Sequence, residues 1–219
     1  MAAPAPSADI WHSLFAFYLT SAIAISAVVF AMMIYILIRY RSKGEKNPGE
    51  PEYRIGDLSQ RGSVKVAIIL TVILGILFLG LTTSTFSAME FMEEIPDDNP
   101  NALHIKVLAF QWGWRFTYPN GKTLTGELRV PAGVPIILEI TSQDVFHTFS
   151  IPAFKVKKDA IPGRINYAWF EGKYAGEYTI RCYELCGVGH AEMLARLLVM
   201  EPEQFEKWYE EFSSRGEAE

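Results

Sequence analysis

Two uncharged apolar runs, Leu14 to Ile38 and Val66 to Met89, dominate the first part of the chain. An α-helix rises 1.5 Å per residue, so about 20 residues cross roughly 30 Å of hydrocarbon, and each run is long enough to span a bilayer. The first run stops at Arg39, Tyr40 and Arg41 rather than at a small-residue cleavage site, and no Lys or Arg precedes it. Both features read as a retained membrane helix and against a cleaved signal peptide. Beyond Leu103 the pattern changes to short β-branched and aromatic segments, clearest at Ile105 to Phe110, Trp114 to Tyr118, Val134 to Ile140 and Glu177 to Arg181. Between them stand turns such as Pro119-Asn120-Gly121, where Asn and Gly tolerate positive φ. Such a succession predicts an antiparallel sandwich or small barrel. Near the end, Phe205, Trp208, Tyr209 and Phe212 fall at i, i+3, i+4 and i+7, which predicts an amphipathic helix packed on that domain.

These patterns divide the chain into a tail (1–13), a membrane helix (14–38), a loop (39–65), a second membrane helix (66–89), a linker (90–102), an all-β domain (103–201) and a terminal helix and tail (202–219). Orientation follows from charge, because basic residues near membrane helices stay on the cytoplasmic side. Arg39, Arg41, Lys43, Lys46, Arg54, Arg61 and Lys65 place the 39–65 loop inside. The tail has no basic residue, and Glu90, Glu93, Glu94, Asp97 and Asp98 follow the second run, so the N-terminus and the β domain are expected outside. A net charge of −5 and no polybasic stripe give no sign of a nucleic-acid partner; the surrounding partner is lipid.

The candidate chemistry is concentrated in one segment, Cys182-Tyr-Glu-Leu-Cys186-Gly-Val-Gly-His190-Ala-Glu-Met193. Thiolate and thioether sulfur select copper or clustered iron over hard cations, and imidazole suits copper and zinc. His147, in Asp144-Val-Phe-His147, offers a second imidazole from a neighbouring strand. A mononuclear blue-copper site takes two His, one Cys and a weak axial Met, so one thiolate is in excess. Two thiolates bridging two coppers would use it, with one His on each metal and the weak positions left to Met193 and a backbone carbonyl. A closed zinc site of Cys182, Cys186, His190 and His147 has the right ligand count but leaves Met193 unused. A Cys182–Cys186 disulfide would close a very short loop and explains neither His190 nor Met193. On residue chemistry alone copper is favoured and all three stay open. A haem c attachment needs Cys-x-x-Cys-His, which is absent.

The loop resembles the copper-A motif Cys-x-Glu-x-Cys-x-x-x-His-x-x-Met of subunit II of haem–copper respiratory oxidases, and matches it at every defined position. Three further blocks occur in the family's order: Gln111-Trp112-Gly-Trp114, Asp144-Val-x-His147, and Lys157-Lys-Asp159-Ala-Ile-Pro162-Gly163-Arg164. The resemblance covers nearly the whole chain. It implies a helical hairpin plus an all-β cupredoxin Greek-key domain, and a dinuclear copper centre held by His147, Cys182, Cys186, His190 and Met193, with Glu184 giving its backbone carbonyl. By the same resemblance the Glu184 side chain reaches a magnesium ion, Trp112 is the first acceptor of electrons, and Asp159 and Arg164 belong to the boundary with subunit I. The implied activity is that of the electron-accepting subunit of a terminal oxidase in the plasma membrane. It would take electrons from an external c-type cytochrome or a blue-copper protein and pass them to a haem of subunit I, where oxygen is reduced to water; subunit III is a further expected partner.

Two departures from the family pattern bear on function. Relatives that dock a basic cytochrome c carry acidic residues after the aromatic block, whereas here the stretch reads Arg115-Phe-Thr-Tyr-Pro-Asn-Gly-Lys122, which weakens steering by charge. Many relatives also place a carboxylate at the cytoplasmic start of the second helix, and Ser63-Val-Lys65-Val offers none.

Overall fold

A computed structural model describes residues 5–41, 62–96 and 99–214. The loop basics Lys43, Lys46, Arg54 and Arg61, the acids Asp97 and Asp98, the first four residues and the last five lie outside the described residues. Two compact units result, one of residues 13–87 and one of residues 1–12 and 88–219.

The first unit is a pair of helices. α1 spans Pro6–Arg39 and α2 spans Val64–Glu93, both running past the apolar segments that predict them. Pro6 suits the first helical position, where its missing N–H is not needed and its φ is preset. Both helices are long and apolar enough to cross a membrane, and none of the most apolar stretch of either is buried against protein. In hydrocarbon every polar group needs an internal partner. The hydroxyls of Thr20, Ser21, Thr71, Thr83, Ser84 and Thr85 accordingly donate to carbonyls one turn back in their own helix. Tyr18 pairs its hydroxyl with that of Thr85 at 2.7 Å, linking the two helices.

The second unit is a β-sandwich. Its strands are β1 Leu103–Phe110, β2 Gly113–Thr117, β3 Thr123–Thr125, β4 Glu127–Pro131, β5 Pro135–Ser142, β6 His147–Ile151, β7 Val156–Ala160, β8 Asn166–Glu171, β9 Gly176–Cys182 and β10 Leu194–Met200. One sheet has the order β3-β2-β1-β5-β8 and the other β4-β10-β9-β6-β7. Most pairs are antiparallel, but β1 with β5 and β4 with β10 are parallel. This modifies the expectation of a purely antiparallel sandwich. A parallel pair needs a crossover, and the alternation along a strand does not reveal its partner's direction.

Alternation decides which side chains turn inward. In β1, Ile105, Val107 and Ala109 are buried, and from the partner strands Trp114, Phe116, Ile136, Leu138 and Ile140 meet them. The facing sheet contributes Leu128, Val130, Phe149, Ile151, Ile180, Leu197 and Val199. All five residues of β6 are buried, because it lies between β7 and β9 and is covered on both faces. Its polar members are satisfied: Thr148 donates to Asp159 and Ser150 to the Val156 carbonyl.

Two attachments complete the unit. The terminal helix α3, Pro202–Ser214, lays Trp208, Tyr209 and Phe212 against Tyr118, with ring centroids 5.6 to 6.0 Å apart. The Tyr118 hydroxyl accepts from Arg129 N–H and donates to Arg129 C=O, both at 2.9 Å, which ties the end of β2 to β4 in the other sheet. Burial pushes this phenol well above the ordinary tyrosine range, so it stays a neutral donor and acceptor. At the other end, Ser7 donates to the Phe154 carbonyl, Asp9 pairs with Lys173, and Lys155 lies over the Trp11 ring at 4.1 Å. The start of α1 thus packs on the sandwich.

Candidate metal centre

The loop from Tyr183 to Met193 connects two adjacent antiparallel strands, β9 and β10, so both its ends are fixed by the sheet. Cys182 N–H donates to the Met193 carbonyl at 3.2 Å, closing the loop at its base. Tyr183 N–H donates to the Thr148 carbonyl at 3.0 Å and pins the loop to β6. β6 runs beside β9 with Phe149 opposite Cys182, which brings His147, the first residue of β6, to the Cys182 side. A single 3₁₀ turn, His190–Glu192, turns His190 back towards the thiols; its N–H meets the Gly187 carbonyl at 3.1 Å.

The result is a compact set of soft donors. Cys182 and Cys186 are unpaired as a disulfide, with sulfurs 3.8 Å apart. Each thiol faces one imidazole nitrogen: His147 Nδ1 is 3.9 Å from Cys182 Sγ, and His190 Nδ1 is 3.5 Å from Cys186 Sγ. Met193 Sδ lies 3.7 Å from Cys186 Sγ, and the Glu184 carbonyl oxygen 3.3 Å from Cys182 Sγ. Metal–sulfur and metal–nitrogen bonds are roughly 2.3 and 2.0 Å, so donors 3.3 to 3.9 Å apart are spaced to share metal between them. His147 and Met193 are fully buried and the two cysteines nearly so, which shields the cluster from water. The structure therefore brings His147, Cys182, Cys186, His190, Met193 and the Glu184 carbonyl together.

Protonation sets what a metal must displace. Burial and the neighbouring Cys182 sulfur push the Cys186 thiol up to about 11. Metal uptake must therefore release a proton here, and it strengthens as pH rises.

Around the donors lies a layer that motif reading leaves unassigned. The Asp144 carboxylate holds His147 Nε2 at 2.8 Å through Oδ1 and takes the Gln111 N–H at 2.7 Å through Oδ2. Burial by itself would raise its pKa, but the hydrogen bonds from His147 and from the Gln111 and Val145 amides outweigh it and hold the group below the usual carboxylate range. An ionised Asp144 thus fixes the ring so that Nδ1, not Nε2, meets the sulfur. Its sequence signal is the three-residue spacing to His147. If His147 ligates a metal, Asp144→Asn is expected to lower the affinity for it roughly 10–100-fold, the range for an outer-shell partner of a ligating His, as read by chelator competition. An unchanged affinity would remove Asp144 from that role.

Trp112, the predicted electron acceptor, lies on the loop backbone. Its Nε1 donates to the Cys186 carbonyl at 3.2 Å, and Gln111 Nε2 donates to the same oxygen at 2.7 Å. The indole can lie there because Gly189 has no side chain: a Cβ would stand 2.5 Å from Trp112 Cδ2. Gly189→Ala is accordingly expected to lift the indole off the loop and break its hydrogen bond to the Cys186 carbonyl while leaving metal binding intact; tryptophan fluorescence and metal analysis check both halves.

Residues 125–199 match a family model described as cytochrome c oxidase subunit II, periplasmic domain. The heme-copper oxidase subunit 2 of Aeropyrum pernix is 36% identical over 219 residues, covering 93% of this chain and 90% of the relative. The cytochrome c oxidase subunit 2 of Alkalihalophilus pseudofirmus is 35% identical over 197 residues, covering 88% of this chain and 56% of that longer protein. Among solved structures, the periplasmic domain of subunit II of cytochrome oxidase of Bradyrhizobium japonicum superposes with a TM-score of 0.50 at 37% identity, over 52% of this chain and 94% of that domain. That superposition identifies the sandwich as the cupredoxin-like domain of this subunit, and the two apolar helices with it describe a membrane protein carrying an extracytoplasmic domain. With likeness to the Aeropyrum pernix protein running through nearly the full length of both chains, and a buried His–Cys–Cys cluster fit for metal in the matched domain, the chain belongs to the haem–copper oxidase subunit 2 family.

Proposed function

We propose that this chain holds a dinuclear copper centre on His147, Cys182, Cys186, His190, Met193 and the Glu184 carbonyl, and serves as the electron-accepting subunit of a terminal oxidase. The observation that carries the reading is the symmetry of the donor set: two thiols 3.8 Å apart, each facing the Nδ1 of its own imidazole, with a thioether on one side and a carbonyl on the other. A single zinc would use four of these donors and leave Met193 Sδ buried beside Cys186 without a purpose. When bound, a copper pair supplies a one-electron centre of low reorganisation between an external donor, such as a c-type cytochrome or a blue-copper protein, and a haem of subunit I.

The residues of the chain do the rest. The β9–β10 base and the Asp144 bond to His147 hold the ligands in place before metal arrives, so little rearrangement accompanies a change of charge. Burial of Met193 and His147 excludes water from the inner side. Trp112 joins the surface to a ligand backbone through one hydrogen bond. The Glu184 side chain is assigned to magnesium at the boundary with subunit I, and Asp159, which accepts from Thr148 at 2.9 Å, and Arg164 to the same boundary. Subunit III and the plasma membrane complete the expected setting, with the 39–65 loop cytoplasmic and the copper domain outside.

Copper analysis with electron paramagnetic resonance tests the proposal: two coppers per chain and a mixed-valence signal shared over both are expected, and one copper with an ordinary mononuclear signal would overturn it. Met193→Leu should keep copper but shift the potential, since a thioether is a weak ligand; complete loss of copper would show that Met193 is structural to the site.

A further inference from the structure

Where the apolar run of α2 ends, at Met89, a cavity of about 220 Å³ opens within the unit that holds the β domain. Its walls are of two kinds. Met89 and Met92 of α2 and Trp169 of β8 form an apolar side, and the exposed Tyr167 stands at its edge. Lys155, Lys157 and Lys158 form the other, against a single carboxylate, that of Glu93. Among the described residues none of the three lysines has an ion pair. Lys155 lies over Trp11 and Lys157 over Tyr183, but the Lys158 ammonium meets no ring either. Lys158 is nevertheless half-buried. In β7 it stands between Val156 and Ala160, both buried, so alternation turns it to the inner face, opposite Asp159. A cation drawn partly out of water without a counter-charge is costly.

We infer that this cavity binds the headgroup of an anionic phospholipid, with its phosphodiester held by Lys155 and Lys158 and its acyl chains running down past Met92 and Met89. Charge selects an anion, since three lysines face one carboxylate. The apolar side selects a lipid over a free phosphate, because Met89 closes a charge-free run long enough to span a bilayer and so marks the level at which headgroups lie. Trp169, Tyr167 and Trp11 gather at that level, as amphipathic rings do at a membrane–water boundary. The volume is roughly seven times the 30 Å³ share of one water, which takes a phosphate together with its adjoining polar groups. The metal centre plays no part in this site.

The test uses the full chain in its oxidase complex, purified in mild detergent and titrated with phosphatidylglycerol, phosphatidylcholine or inorganic phosphate, while native mass spectrometry counts the lipid retained on this subunit. One phosphatidylglycerol per chain is expected, held in preference to phosphatidylcholine and displaced only weakly by inorganic phosphate. A lysine beside an anionic lipid contributes about fivefold in affinity, so Lys158→Gln should weaken retention about fivefold and the pair Lys155→Gln and Lys158→Gln about 25-fold. Lys158→Arg should restore it, which shows that charge and not the fold was lost. Lys122→Gln, in a different cavity beside α3, should change nothing. Equal retention of phosphatidylcholine, or undiminished retention of phosphatidylglycerol by the double variant, would overturn the inference and leave Lys158 as an inward charge that keeps the edge strand β7 from pairing. Competition by inorganic phosphate at the same concentration as the lipid would show a free-anion site and overturn the lipid assignment. No lipid retained by the unmodified complex would mean that a neighbouring subunit covers the cavity, and would overturn it too.

Discussion

On the proposed function, Cys186→Ser is expected to leave a folded chain that holds at most one copper and no longer accepts electrons. Cys186 is the junction of the site: its sulfur lies 3.8 Å from Cys182 Sγ, 3.5 Å from His190 Nδ1 and 3.7 Å from Met193 Sδ. A serine oxygen is a hard donor with a shorter reach and a proton far harder to remove, so it replaces neither the softness nor the bridging capacity of a thiolate. The loss should exceed the roughly 10–100-fold that an outer-shell change costs, since the proposed assignment makes Cys186 a ligand itself. The fold should survive, because the loop ends remain fixed by the Cys182–Met193 and Tyr183–Thr148 backbone bonds, which the substitution leaves alone. Copper content, the shared-valence resonance signal and donor oxidation by the oxidase complex should all fall together. Retention of the two-copper signal by this variant would contradict the assignment of Cys186 as a bridging ligand.

Trp114→Ala should have the largest effect on stability. Trp114 is fully buried in β2, edge-on to Phe149 at 5.2 Å and to His147 at 6.2 Å. Removing a large aromatic from such a position costs about 3–5 kcal/mol, from lost apolar burial plus the cavity left behind. It also removes the wall behind the His147 ring, so copper affinity should drop with it. Trp114→Phe makes the sharper comparison. Trp114 Nε1 is buried without a hydrogen-bond partner among the described residues, so a phenylalanine gives up contact area but also an unsatisfied donor. The two effects oppose each other, and the variant is expected within about 1 kcal/mol of the parent. Urea unfolding of the full chain in detergent, followed by far-ultraviolet circular dichroism with copper titration alongside, separates the two variants; equal destabilisation would mean that the indole nitrogen is satisfied in solution.

Membrane helices, clear strands and metal donors were legible because each is written locally. A charge-free run of bilayer length has few alternatives, and α1 and α2 contain those runs. Leu103–Phe110, Gly113–Thr117, Pro135–Ser142 and Gly176–Cys182 appear within a residue or two of the segments named from alternation. β6 and β7 were less legible. β6 is buried on both faces and so does not alternate, and β7 carries Lys157, Lys158 and Asp159 in a row. The stripe Phe205, Trp208, Tyr209 and Phe212 specified α3 together with its packing face, here Tyr118.

By itself, the sequence determined the donor types, their spacing along one loop, the helical pair and the aromatic block, since composition and periodicity are properties of neighbouring residues. Tertiary structure decided what depends on residues far apart in the chain. It set the parallel pairings of β1 with β5 and β4 with β10, the approach of His147 to Cys182 from a strand 35 positions away, and the grip of Asp144 on both His147 and Gln111. It also seated the Trp112 indole over Gly189. The reason is that burial and orientation are set by which strands become neighbours, and strand order depends on crossovers that no local pattern encodes.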